Sequence, residues 1–203
     1  MSAYDPNLTL AEAVKQYFID NKFGADGGYS AAWVDLKLGP IPFVIRNTQS
    51  RVRAVRFHDL HHVMTGYKTD WAGEFEISAW ELATGCADMY AAWWLNLGGL
   101  VAGLMFFPQR TVRAFVRGRH SQNLYRREYG PELLGQKVGQ TQAELGLTDS
   151  AAPPKMTVSD GVVLAGMTLL GIPVGLVTLT ASVAMVPFAI FQNLTRARKS
   201  ATA

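Results

Sequence analysis

Apolar residues first fall into register between positions 8 and 22, where Leu10, Ala13, Val14, Tyr17 and Phe18 recur at intervals of three and four. That spacing lines them along one stripe of a helix, which Thr9 or Asn7 can cap. Glycines then break the pattern at Gly24, Gly27 and Gly28, and Gly39-Pro40 separates two apolar, partly β-branched runs. This stretch reads as a loop able to carry a short hairpin. Ser50 can cap a second helix over 51–65, with Gly66 just past its end. Thr69 or Asp70 can open a third over 71–84, closed by Gly85.

Hydrophobic density then rises. Positions 89–107 are 19 residues without a charge, ended by Pro108, and Asn96, Gly98, Gly99 and Gly103 suit a buried or membrane-dipping helix. Arg110, Arg113 and Arg117, three and four apart, predict a basic amphipathic helix suited to a membrane surface or a solvated face. Helical patterning continues over 123–147, and 149–160 reads as a linker. Positions 161–195 carry no charge over 35 residues. That length exceeds one span and falls short of two, and "GIPVG" around Pro173 offers a break, so a tight or re-entrant membrane hairpin fits at least as well as one tilted span, followed by a basic tail at 196–203.

The expected fold is therefore all-α: a helical domain over 1–148 with an apolar core and a C-terminal membrane-embedded hairpin. With 203 residues and 22.2 kDa, one domain and an appendage is a natural division. Cys86 is the single cysteine, which excludes an intrachain disulfide and reads as a core residue; the first ten residues lack the basic start and apolar run of a secretory signal. The net charge of +3 is modest, with arginines clustered at Arg51, Arg53 and Arg56, from Arg110 to Arg127, and at Arg196 and Arg198. Anionic lipid or phosphate suits those clusters better than nucleic acid, because they flank apolar segments and no nucleic-acid motif accompanies them.

Three of the four histidines lie in "RFHDLHHVMTGYKTDWAGEFE", 56–76. His58 and His62 are four apart, one helical turn, so their imidazoles can share an ion. Asp59 can ligate it or orient an imidazole from behind. Glu74, at the start of the next helix, can fold back across His62. His58, Asp59, His62 and Glu74 form a mixed nitrogen and oxygen set that suits zinc, with iron or manganese as alternatives. Four ligands would close a structural site, whereas release of Asp59 or Glu74 would open a position for substrate. His61 reads as hydrogen-bonded to Glu81 or a backbone carbonyl, and Glu76 and Glu81 as lying on a solvated face or behind the ligands. The histidine count excludes a di-iron desaturase, and Asp59 stands where H-E-x-x-H peptidases need glutamate. No Gly-x-Ser-x-Gly elbow is present.

The pattern H-D-x-x-H, eleven residues, then glutamate resembles the signature of the coenzyme Q biosynthesis protein 4 family, with His58, Asp59, His62 and Glu74 at the matching positions. The likeness extends over about 8–148 and is densest at 56–85; "LLGQKVGQTQAELGL" is similar to the family's closing helix. It implies a mostly helical, membrane-associated protein that binds a metal through these four residues and holds a prenylated lipid; the expected location is the cytoplasmic face of the inner membrane. It further implies action on the ubiquinone ring, linked to oxidative removal of the carboxyl group at ring carbon one, or a role as organiser among other quinone-biosynthesis enzymes, with a homo-oligomer as a further expectation. Read from the residues alone, Trp93, Trp94, Leu97, Leu100, Leu104, Met105 and Phe106 can line a channel for an isoprenoid tail, and core packing accounts for the same residues nearly as well. The charge-free C-terminal segment departs from the family pattern and leaves room for another lipid substrate. The remaining alternatives are a lipid-binding scaffold with a structural metal and a metal-dependent phospholipid or prenyl phosphate hydrolase using Arg51, Arg53 or Arg56.

Overall fold

A computed structural model describes residues 4–38, 41–147 and 154–201. Helix α1 (Leu10–Asn21) begins with a capping box in which Thr9 and Glu12 each satisfy the other's backbone N–H, and it buries the predicted stripe of Leu10, Ala13, Val14, Tyr17 and Phe18. A two-stranded antiparallel hairpin follows, β1 (Trp33–Leu38) with β2 (Ile41–Arg46). The expected break at Gly39-Pro40 lies outside the described residues.

Helix α2 (Gln49–Thr65) starts two residues earlier than expected, because the Thr48 hydroxyl, in place of Ser50, takes the cap by accepting the Arg51 N–H. Gly66 ends it at φ +74, a left-handed conformation that a side chain would strain. Helix α3 (Trp71–Thr84) is capped by Asp70. Helix α4 (Tyr90–Phe106) lies against α3 at glycine contacts: a Cβ on Gly99 would meet Ser78, and one on Gly103 would meet Phe75 and Thr111. Small residues here let backbones approach, so α4 is a packed element of the domain.

Helix α5 (Pro108–Arg119) does not present a free basic stripe. Arg110 pairs with Glu76 of α3, and Arg117 donates to the Thr65 carbonyl at 2.9 Å and lies over the Tyr67 ring, leaving Arg113 exposed. The helical pattern over 123–147 is realised only in part. Two short helices, α6 (Pro131–Leu134) and α7 (Val138–Glu144), follow a turn region in which Asn123 donates to Thr84 and Gly85. Gly130-Pro131 sets the start of the first.

The expected C-terminal hairpin is instead one helix, α8 (Val158–Ala201), which continues through Pro173 and Pro187. Its first turn is tied to the domain by Asp160, which bonds Thr157 and Arg119. Farther along, Gly171 rests on the Leu97 carbonyl and Val101 of α4. Proline removes one backbone hydrogen bond, but flanking turns keep the rest, and a chain away from water gains by keeping them. Val158–Ala181, 24 residues, is the one described helix long and apolar enough to cross a membrane. At 1.5 Å per residue it spans about 36 Å, against about 30 Å of bilayer hydrocarbon. Part of the predicted linker, 149–153, lies outside the described residues.

The apolar residues of α4 do not line a common channel. Leu100 is buried in the core, Trp93, Leu97 and Leu104 pack against it, and Trp94, Met105 and Phe106 face outward.

Candidate metal centre

Helix α2 carries all three clustered histidines into the interior, because Ala54, Phe57, Leu60, Val63 and Met64 pack into the core on either side of them. Its last carbonyls are held from outside: Arg117 binds that of Thr65 and Gln142 that of Met64. The helix is thus pinned at the turn from which His62 projects.

The hydrogen bonds fix which ring nitrogen of each imidazole carries a proton. His62 Nδ1 lies 2.9 Å from the Tyr67 carbonyl oxygen, an acceptor only, so Nδ1 is the donor and Nε2 carries a lone pair. His58 Nδ1 lies 3.0 Å from Glu81 Oε1, so its Nε2 is left as acceptor in the same way. The two Nε2 atoms face each other at 3.2 Å. Glu74 completes the set, with Oε2 3.5 Å from His58 Nε2 and Oε1 3.4 Å from His62 Nε2. Three electron-rich groups converge with no donor between them, and a cation is what such a convergence lacks.

The spacing suits a metal. A tetrahedral ion with ligand bonds of 2.0–2.1 Å separates neighbouring donor atoms by about 3.3 Å, whereas an octahedral one with similar bonds brings them to about 3.0 Å. The edge between the two imidazole nitrogens, 3.2 Å, is nearer the first, and Glu74 sets a different oxygen against each ring, at 3.4 Å from His62 and 3.5 Å from His58. In the metal's absence a proton is the smallest cation that fits. Accordingly, although burial alone would lower the His58 pKa, the Glu81 and Glu74 carboxylates hold it well above the usual histidine value. Burial likewise opposes ionisation of Glu74, yet its bonds to the two imidazoles pull it down to about 2. His58 is 22% exposed and Glu74 41%, so the cluster reaches the surface on the Glu74 side.

Behind the ligands lies a second, fully enclosed carboxylate. Glu81 accepts from His58 Nδ1, His61 Nδ1 at 2.7 Å, Asn96 Nδ2 at 2.6 Å and the Tyr125 hydroxyl at 2.7 Å. Despite burial, the histidines keep it ionised, well below the usual carboxylate range. A carboxylate on the far nitrogen of a ligating histidine fixes the ring and strengthens its lone pair. His61 donates to Glu81, as expected, while its Nε2 accepts the Leu124 N–H at 3.0 Å; burial lowers its pKa, and it is a neutral, fully satisfied ring.

Asp59 stands apart from the other three expected ligands. One residue from His58 it is turned about 100° around α2, and its carboxylate receives the Tyr17 hydroxyl at 3.3 Å and the Tyr29 hydroxyl at 2.5 Å. Tyr17 in turn stacks on the His62 ring, centroids 5.5 Å apart and planes 20° apart. Asp59 therefore steadies the wall against which His62 lies, and the converging donor atoms belong to His58, His62 and Glu74. Glu76 pairs with Arg110, and Cys86 is buried beside Asn96. Arg51 donates to Asn47, Arg53 pairs with Asp88 and Arg56 lies between the rings of Tyr29 and Tyr129, so none of the three is directed to the metal ligands.

Sequence reasoning did not link Glu81 to His58, nor Tyr17 and Tyr29 to Asp59. Glu81 was within reach of it: seven residues after Glu74, it lies two turns along the same face of α3. The tyrosine contacts connect residues 42 and 30 positions apart, and local spacing carries no signal of them. Set beside protein-family models, curated proteins and solved structures, the chain matches none. What stands is a helical domain with a His58, His62 and Glu74 cluster able to chelate a divalent metal, and one helix long and apolar enough to span a bilayer.

Proposed function

We propose that this chain is a metal-dependent, membrane-associated enzyme that acts on the polar head of a prenylated aromatic ring, in the manner the H-D-x-x-H-x11-E resemblance implies for ubiquinone biosynthesis, with zinc as the resident ion. The observation carrying this reading is the donor-free convergence of His58 Nε2, His62 Nε2 and the half-exposed Glu74 carboxylate. Three protein ligands leave a position open to substrate, the arrangement of catalytic rather than structural zinc. When bound, the metal supplies a Lewis acid for the ring's carboxylate. Glu81 holds His58 in the tautomer that offers Nε2, the Tyr67 carbonyl does the same for His62, and Tyr17 fixes the second ring by stacking. Helix α8 anchors this head-group site at a bilayer, where a prenylated substrate resides.

The test is turnover of a prenylated hydroxybenzoate by metal-loaded protein in mild detergent with oxygen present, followed by mass spectrometry. Loss of the carboxyl group with wild type and its retention with a folded His62→Ala variant is the expected pair of results. Equal product from both would sink the proposal, and no turnover by metal-loaded wild type would favour the scaffold reading, in which the metal serves structure alone.

A further inference from the structure

Tyr29, whose hydroxyl donates to Asp59, forms one wall of a recess of about 390 Å³ between the start of α2 and the turn before β1. Its lining includes Tyr29, Asn47, Gln49, Arg53, Arg56 and Tyr129, and no carboxylate among the described residues. The volume lies in the range of about 300–1,000 Å³ typical of small-ligand sites.

We infer that this recess binds an oxyanion, a phosphate or carboxylate group, gripped by Arg56. Three observations converge on it. The exposed Arg56 guanidinium lies over two aromatic rings, 5.4 Å from the Tyr29 centroid and 5.6 Å from that of Tyr129, contacts that hold it without using its N–H donors. No carboxylate among the described residues pairs with it, whereas Arg53 beside it pairs with Asp88 and Arg110 with Glu76. The N-terminal end of α2, with no acidic residue in its first turn, adds positive potential at the same place. The wall is built rather than incidental: Asn47 donates to the carbonyls of Gly28, Tyr29 and Ala31 while accepting from Arg51, so one side chain clamps the turn to the helix. A planar fork resting on aromatic rings at the wall of a carboxylate-free recess is suited to two oxygens of one anion.

Titration calorimetry on full-length protein in mild detergent tests this, with inorganic pyrophosphate as a free source and a short-chain, water-soluble phosphatidic acid as a lipid source. Metal-stripped and metal-loaded protein are compared, so that an anion resting on the metal is not mistaken for one in the recess. Binding in both forms is expected, weakened about tenfold or more in Arg56→Gln. Arg56→Lys keeps the charge without the fork and should fall between, and Arg113→Gln, an exposed arginine elsewhere, should leave binding unchanged. The tighter probe identifies the source. The inference fails if neither probe binds, if binding requires the metal, or if folded Arg56→Gln, checked by its melting temperature, binds as wild type does.

Discussion

His61 and His62 are neighbours on one helix, both buried, and their surroundings are opposite in kind. Around His61 every group has its complement: one ring nitrogen donates to Glu81, the other accepts the Leu124 N–H, and the remaining Glu81 oxygen is filled by Asn96 and Tyr125. Around His62 the acceptors outnumber the donors, since Nε2 faces His58 Nε2 and Glu74. Burial and residue type are shared, so neither marks the functional histidine. The inventory of donors and acceptors does, and it divides the region into a network that holds the fold and a cluster that holds a cation. Glu81 joins the two, because it serves His61 on one side and His58 on the other.

The sharpest way to break this division is Glu81→Ala. It leaves two imidazoles, an amide and a phenol without their shared acceptor in the core, a loss of about 3–5 kcal/mol. The melting temperature should fall by roughly 10 °C or more, metal present or not. His62→Ala should do the reverse, removing bound metal while the metal-stripped protein melts within a few degrees of wild type; a collapse of the fold would move His62 to the structural side. Glu81→Gln keeps the shape of the network but not its charge, and should weaken metal binding by about 10- to 100-fold, read by competition with a chelator. Tyr29→Phe removes one of two bonds to Asp59 and should cost about 1 kcal/mol in thermal unfolding, with metal stoichiometry unchanged.

The smallest effect expected is one of pH, and its sign separates the two states of the cluster. The folded-state pKa of His58 is raised above the unfolded value of about 6.5. Its contribution is therefore complete below that value and is lost as pH rises through the folded-state value. Metal-stripped protein should lose thermal stability on that rise. Metal-loaded protein should gain, because protons then compete less for the ligands. Parallel slopes with and without chelator would remove the cation from the account.

Much of this was legible in the sequence because it depends on local spacing. The four-residue interval of His58 and His62, the caps at Thr9 and Asp70 and the stop at Gly66 are each set within a turn or two of chain. Asp59 shows where spacing fails. Its position one residue from His58 suggested a shared ion, but the same helical geometry turns it away, and only the tertiary approach of α1 and the Tyr29 turn shows what it meets instead. The long α8 fails for a related reason: Pro173 reads locally as a break, while the turns on both sides keep enough backbone hydrogen bonds to carry the helix through. The outward-facing Trp94, Met105 and Phe106 likewise became distinguishable from the buried Leu100 only once α4 had a packed side.

The central claim, that the cluster holds a metal rather than only a proton, is tested most directly by elemental analysis of full-length protein purified in mild detergent, with His58→Ala/His62→Ala purified in parallel. One divalent ion per chain in wild type and none in the folded double variant is the predicted result. Wild-type protein that takes up no divalent metal, even when zinc, iron and manganese are offered after stripping, would contradict it.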